Sequence, residues 1–340
     1  MDKIKKQRDL KRWIAVGVAV FLFIMSLSSS ILSNKFIENR GKNFVTDFIH
    51  NDYTESVESG SNPLERIIVI PVHGVISDQI GGEYDHKLII DSIKQVKNDP
   101  TIKGILVDID SPGGAAYQSA EVFNRLYDIR ENTDIPIYVT MGAYAASGGY
   151  YIASAADQIY AANETVTGSI GVIGSYMNFK GLYDKLGVKN ERFATGEYKA
   201  IPPTGQDLTE NQRKFIEQDI DKMYNQFIDA IVKGRHAKKE NILKLADGRT
   251  FFGNEAIENG LVDHIGYYED ALAALIKKTA TKDPEVFRLE LSPLNFNGRF
   301  PFPFNLFTKS SLDTSSLVDQ VVNRLTQESI SYPVFMYGGE

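Results

Sequence analysis

Three short, apolar, β-branched runs recur between stretches of helical periodicity, and this alternation limits the chain to few architectures. The runs are Ile67-Ile68-Val69-Ile70-Pro71-Val72, Gly104-Ile105-Leu106-Val107-Asp108-Ile109-Asp110 and Pro136-Ile137-Tyr138-Val139-Thr140-Met141. Helical patterns fill His86–Asn98 and Ala115–Glu131. Strands that alternate with helices imply βαβ units and a largely parallel, buried sheet. Further strands are expected at Gln158–Ala161, Ile170–Ile173 and Lys189–Phe193. A long helix is expected from Thr209 to Val232. Thr209 and Gln212 have the spacing of a capping box, and Phe215, Ile216, Ile220, Met223, Tyr224, Phe227, Ile228 and Ile231 form an apolar stripe. Gly234 is expected to end it. Shorter helices are expected at Lys238–Asp247, Gly253–Asn259 and Tyr268–Thr279.

Charge is unevenly spread. Residues 1–12 hold six basic side chains against Asp2 and Asp9, a local charge of +4. That leaves −11 for the remainder of a chain whose formal net charge is −7. An acidic body of this kind argues against nucleic acid as a partner. No charge occurs from Trp13 to Asn34, and roughly 20 apolar residues span a bilayer core. Residues 13–32 are therefore expected to form a transmembrane anchor, with 1–12 cytoplasmic and the body outside the cytoplasm. A cleaved secretory signal is the rival reading, but no clear Ala-x-Ala site follows the run. Either way the body is extracytoplasmic. Residues 33–64 are polar and read as a stalk or linker, 65–280 as the catalytic domain, and 281–340 as a carboxyl-terminal extension. In that extension Phe296, Phe300, Phe302, Phe304 and Phe307 are interleaved with Pro301 and Pro303. It reads either as a packed loop or as a surface for assembly or membrane contact.

Ser147 stands in the run Gly142-Ala143-Tyr144-Ala145-Ala146-Ser147-Gly148-Gly149-Tyr150-Tyr151, after a strand and before a helical pattern. This resembles a nucleophile elbow, although Ala145 stands where G-x-S-x-G has its first glycine. A serine hydroxyl keeps its proton at neutral pH and needs a base. No histidine falls between His86 and His236, whereas Lys199 follows Ser147 by fifty-two residues in Gly196-Glu197-Tyr198-Lys199. A desolvated lysine is the obvious substitute, and the chain reads as a hydrolase. Such a lysine must be neutral to accept a proton, far below the free value of about 10.4, and burial favours the neutral form. Asp110-Ser111-Pro112-Gly113-Gly114 lies at a strand end, where ligands bind in α/β sheets. Its paired glycines can turn backbone N–H groups toward a ligand, as an oxyanion hole requires. Thr167-Gly168-Ser169-Ile170-Gly171-Val172 adds hydroxyls in a glycine-punctuated stretch. There is no cysteine, which excludes thiol catalysis, and the five histidines show no metal-ligand spacing. No metal or cofactor is expected.

Taken together, Ser111-Pro112-Gly113-Gly114, Ala145-Ala146-Ser147-Gly148-Gly149-Tyr150-Tyr151, Thr167-Gly168-Ser169-Ile170-Gly171-Val172 and Gly196-Glu197-Tyr198-Lys199 resemble the signal peptide peptidase SppA family. The chain has the length of its short, single-repeat, Gram-positive form. Asp110 departs from the asparagine common in that family. The resemblance implies a ClpP/crotonase-like α/β core of repeated ββα units with mostly parallel sheets, behind one transmembrane helix. It implies that Ser147 is the nucleophile, that Lys199 is the general base and later the acid, and that Ser169 orients the lysine. The oxyanion hole would be Gly114 N–H with Gly148 N–H. It further implies a membrane-bound homo-oligomer, a dome-like octamer whose Ser147 and Lys199 meet across a subunit boundary. Its substrates would be remnant signal peptides and similar hydrophobic peptides. Two other functions fit the same elements less well. A Ser-His-Asp peptidase would have to use the distant His236, and an acyl-CoA enzyme needs neither Ser147 nor Lys199 and works where its cofactor is found. A catalytically dead scaffold is a third alternative, disfavoured by the presence of both residues.

Overall fold

The computed structural model describes residues 53–78 and 83–291 and the backbone of 334–336. The described residues fall in two units, Glu55–Glu290 with Val334–Met336 in the first, and Tyr53, Thr54 and Leu291 in the second. The site and the helices around it belong to the first.

The elements follow the expected alternation. β1 (Tyr53–Ser59) and β2 (Asn62–His73) lead to α1 (His86–Asn98), β3 (Ile102–Ser111), β4 (Gly113–Ala115) and α2 (Ala116–Asn132). β5 (Ile137–Ala146), α3 (Gly148–Ala153), β6 (Gln158–Ala161) and β7 (Val166–Gly168) come next. Then follow α4 (Lys180–Leu186), α5 (Glu210–Gly234), α6 (Lys239–Leu243), β8 (Thr250–Phe252) and α7 (Gly253–Glu258). β9 (His264–Ile265), α8 (Tyr268–Thr279), β10 (Pro284–Leu291) and β11 (Val334–Met336) complete the series. One sheet runs in the order β1-β10-β2-β3-β5-β6-β9, with β7 on β5 and β8 on β7. The pairs β10–β2, β2–β3, β3–β5, β5–β6, β5–β7 and β6–β9 are parallel, and β7–β8 is antiparallel.

Successive strand side chains point to opposite faces, which gives the sheet two apolar coats. Ile68, Ile70 and Val72 of β2 join the larger core under α1, α2, α3 and the end of α5. Ile67 and Val69 face the other way and meet Ala271 and Leu275 of α8. In the larger core the Tyr151 ring stacks on Phe227 (4.8 Å) and meets Phe123 edge-on (5.3 Å), which ties α3 to α2 and α5. Side-chain caps begin the helices where the sequence supplies them. Asp85 accepts from Leu88 N at 2.9 Å before α1, and Thr209 and Gln212 close a capping box before α5.

Several elements differ from expectation. Ile170–Ile173 is not a strand: Gly168 and Ser169 take positive φ (80° and 48°) and turn the chain away, so the strand lies earlier, at Val166–Gly168. Lys189–Phe193 is an exposed loop without a partner strand among the described residues. The apolar stripe of α5 is buried at Phe227, Ile228 and Ile231, whereas Phe215 is exposed. Gly234 is the last residue of α5, and its role is close approach, since a Cβ there would run into the Ser154 carbonyl. The expected helix at Lys238–Asp247 contracts to α6. Within the expected stalk, Tyr53–Ser59 is a strand, and the sheet extends past residue 280 through β10. Residues 1–52, which include the expected anchor at 13–32, lie outside the described residues, as does the Pro/Phe-rich stretch 296–307. Among the described residues, no helix is long and apolar enough to cross a membrane.

Candidate active site

β3 and β5 end side by side, and the turns beyond them assemble the candidate site. β5 changes partner along its length: Tyr138–Met141 pair with β6, and Tyr144–Ala146 pair with β7. The next residue, Ser147, has φ 53° and ψ −113°, a conformation that is costly for any residue but glycine. Two main-chain bonds hold it there. Ser147 N donates to Gly168 O at 2.8 Å, and Ser147 O accepts from Tyr151 N at 2.8 Å as α3 begins. The elbow expected from the sequence is therefore present. α3 has six residues, so any contribution to a nearby anion comes from the N–H groups of its first turn. Ser147 is 1% exposed, and its Oγ has no hydrogen-bond partner among the described residues. A buried hydroxyl without a partner is rare, and strained, unpartnered groups concentrate at functional sites.

Gly113 and Gly114 adopt φ values of 103° and 153°, a region that side chains disfavour. Ile76 flanks one edge of this short strand: Ile76 N donates to Gly113 O (2.9 Å) and Ile76 O accepts from Ala115 N (2.8 Å). Backbone groups alternate edges along a strand, so the Gly114 N–H and C=O face the opposite edge. On that edge the backbone of β11 pairs antiparallel with β4, with Phe335 opposite Gly114. The Gly114 edge is thus shaped to take an extended peptide strand. Gly148 lies against it, since a Cβ on Gly148 would be 3.2 Å from Gly114 N.

Ser169 follows Gly168, whose carbonyl receives the Ser147 amide. It is 6% exposed at φ 48°, with its amide donated to Arg249 O at 2.8 Å. Ser147, Gly114 and Gly148 therefore lie together, and Ser169 is the residue next to the Gly168 carbonyl that receives the Ser147 amide. Lys199 does not join them within the chain. It is exposed, in a turn where Lys199 N donates to Gly196 O at 3.4 Å, and it makes no hydrogen bond to Ser147.

No described histidine serves Ser147. His236 meets Arg130 Nη2 at 3.0 Å, beside the Ala156 and Gly234 carbonyls that Arg130 also binds, at the far end of α3. His86 pairs with Glu121 and Tyr84, and His264 with Gln158. His73 Nε2 lies 2.9 Å from Asp108 Oδ2. That hydrogen bond, aided by the charges of Asp108 and Asp110, holds the His73 imidazolium above its ordinary range despite partial burial. It is a His-Asp pair to which no serine is bonded among the described residues.

Sequence reasoning missed three participants. Ile76 is the edge partner of the glycine strand, with no motif to mark it. Ser119, on the first turn of α2, donates to Ala115 O at 2.9 Å, and its Oγ would lie 2.5 Å from a Cβ on Gly148. The third is the pairing of β11, for which the short β-prone run Val334-Phe335-Met336 was the available signal.

A buried, unpartnered serine at a strained turn beside a glycine strand is suited to acyl transfer, and the comparisons place the chain among peptidases. The model of peptidase family S49 matches residues 129–282. A protein of Enterococcus faecium that carries the name signal peptide peptidase SppA is 35% identical over 97% of this chain and 99% of its own length. Protease 4 of Haemophilus influenzae is 33% identical over 62% of this chain and 34% of its own. The chloroplastic serine protease SPPA of Arabidopsis thaliana is 32% identical over 60% and 30% respectively. The chain spans about a third of the length of these last two. Similarity of this extent, along nearly the whole of one relative and across the strands and turns that carry Ser147, makes the chain a member of peptidase family S49 and a serine peptidase.

Proposed function

We propose that the protein is a membrane-anchored endopeptidase that cleaves remnant signal peptides and similar hydrophobic peptides, with Ser147 as nucleophile and Lys199 of an adjacent copy as base. The observation that carries this reading is the Ser147 hydroxyl, buried and unpartnered, while Lys199 of the same chain is exposed. The segment that bears Lys199 exposes large apolar side chains among its charged ones. Ile173, Met177, Leu182, Leu186 and Val188 are exposed, and Phe193 is 92% exposed. Exposed apolar surface of this kind supports an interface, here with a second copy of the chain. Closure into a dome-like octamer and a ClpP/crotonase-like core are part of the same reading and rest on the family resemblance. The anchor rests on the uncharged run from Trp13 to Asn34 and on the basic residues before it, and it sets the catalytic body outside the cytoplasm.

In this mechanism the substrate lies as an antiparallel strand on the Gly114 edge, as the Val334–Met336 backbone does. Ser147 Oγ attacks the scissile carbonyl carbon and passes its proton to Lys199 Nζ. The carbonyl oxygen becomes an oxyanion held by the N–H groups of Gly114 and Gly148. The C–N bond then breaks, Lys199 protonates the departing amine, and an ester to Ser147 remains. Water, deprotonated by Lys199, hydrolyses the ester and restores Ser147. Ser169 directs the lysine amine toward Ser147. Ser169→Ala is therefore expected to lower kcat roughly 10- to 100-fold, the loss of one positioning hydrogen bond. Unchanged kcat would remove Ser169 from the mechanism.

The reading is tested with full-length protein in detergent micelles and a synthetic signal peptide, with the fragments identified by mass spectrometry. Cuts within the apolar stretch, absent from Ser147→Ala, are expected. Failure to cut the peptide while a water-soluble protein is degraded would overturn the assigned substrate class.

A further inference from the structure

We propose that the end of β3 acts as a clamp, in which the Ser111 hydroxyl and the Asp110 carboxylate are positioning residues that hold the oxyanion strand and the nucleophile strand in one geometry. The inference rests on the reading of Ser147 as nucleophile and of Gly114 N–H as oxyanion donor.

β3 and β5 pair in strict register from Ile105 opposite Ile137 to Ile109 opposite Met141. The next pair is Ser111 opposite Ala145. Between these pairs β3 advances through Asp110 alone, and β5 through Gly142, Ala143 and Tyr144. β5 is therefore bulged at the point where it leaves β6 for β7. A bulge leaves an amide without its ladder partner, and Asp110 supplies one: its Oδ1 accepts from Tyr144 N at 3.0 Å. The carboxylate covers the bulge so closely that a Cβ on Gly142 would lie 2.9 Å from Asp110 Cγ. Three residues after Tyr144 comes Ser147.

Ser111 does the same for the other half of the site. It is fully buried, and its hydroxyl is satisfied in both senses. Oγ donates to Gly74 O at 2.6 Å and accepts from Gly113 N at 3.1 Å. That fixes the turn just ahead of Gly114. The Ser111 backbone also bears on α3, since a Cβ on Gly149 would lie 3.1 Å from Ser111 O. Two adjacent side chains thus set the Gly114 amide on one side and Ser147 on the other. Neither touches the reacting atoms, and each acts through backbone it holds.

Full-length Ser111→Ala, Asp110→Ala and Asp110→Asn are compared for kcat, KM and affinity for a peptide aldehyde, whose adduct with a serine carries an oxyanion. Ser111→Ala is expected to lower kcat on the order of tenfold with KM within about twofold, and to weaken the aldehyde by the same factor as kcat/KM. Asp110→Ala should lower kcat about three- to tenfold, and Asp110→Asn, which keeps an acceptor oxygen, should recover most of it. A purely structural role would lower the melting temperature of Ser111→Ala and leave kcat/KM and aldehyde affinity unchanged, which overturns the proposal. An equal loss in Asp110→Asn and Asp110→Ala would overturn it as well, because charge and not the hydrogen bond would then matter. If Ser111→Ala does not fold, the Asp110 pair, at an exposed carboxylate, decides. Full activity in Ser147→Ala would instead remove the underlying reading of the site, an outcome separate from either of these.

Discussion

Ser147→Ala and Lys199→Ala are each expected to lower peptide hydrolysis on the order of 10⁴-fold or more, with the double variant no worse than either single one. Non-additivity follows from the mechanism: a base without a nucleophile, or a nucleophile without a base, does nothing. The geometry adds a stronger expectation. Lys199 is exposed in its own chain and makes no hydrogen bond to Ser147, so the pair would form between copies. Co-expression of Ser147→Ala with Lys199→Ala should then restore activity. In random assembly a site receives an intact serine from one copy and an intact lysine from its neighbour about one time in four, so about a quarter of wild-type activity is expected. Mixtures as inactive as the single variants would place both residues in one chain or remove the lysine from the chemistry. Substantial activity in Lys199→Ala alone would dismiss the lysine base outright.

The parts of the fold that were legible in the sequence are those decided by local pattern. β6, α1 and α8 match their expected bounds, because each has a clear period and a buried face. The elbow at Ser147 was legible because a serine between a strand-forming run and paired glycines has few alternatives. Other elements depend on what lies beside them in space. Val166–Gly168 is a strand because β5 and β8 flank it, while Ile170–Ile173, richer in β-branched residues, follows two positive-φ residues and carries no more than an isolated bridge at Ile173. The first half of α5 carries the same stripe as the second, but only the second meets α3. The placement of Ser111, Ser119 and Ile76 around the glycine strand could not be read from spacing either. The bonds of Ser111 to Gly74 and of Ile76 to Gly113 and Ala115 join segments far apart in the chain, and no periodicity encodes such contacts; Ser119 bonds locally to Ala115, and what brings it to Gly148 is packing. Tyr53–Ser59 reads as polar linker because its Thr, Glu and Ser alternate with few apolar residues. That composition also suits a strand at a sheet edge, where charge discourages further pairing.

Gly114→Ala should show how much of the rate depends on one backbone amide. At φ 153° an added Cβ would collide with the Ile76 carbonyl and lie 2.7 Å from Ile76 N. Neither contact can be relieved by rotating a side chain, because both atoms are backbone. The glycine strand and Ile76 must therefore separate, and the Gly114 N–H moves with them. Loss of one oxyanion donor typically costs on the order of 10²–10³ in kcat, and that loss is expected here, with KM much less affected because the donor acts on charge that develops only in the transition state. The same shift should weaken the edge on which Phe335 stands opposite Gly114. Steady-state kinetics on the folded variant, checked by its thermal transition, measure the effect. A kcat within about threefold of wild type would mean that the oxyanion is held elsewhere, and the arrangement of Gly114 against Gly148 would then serve packing alone.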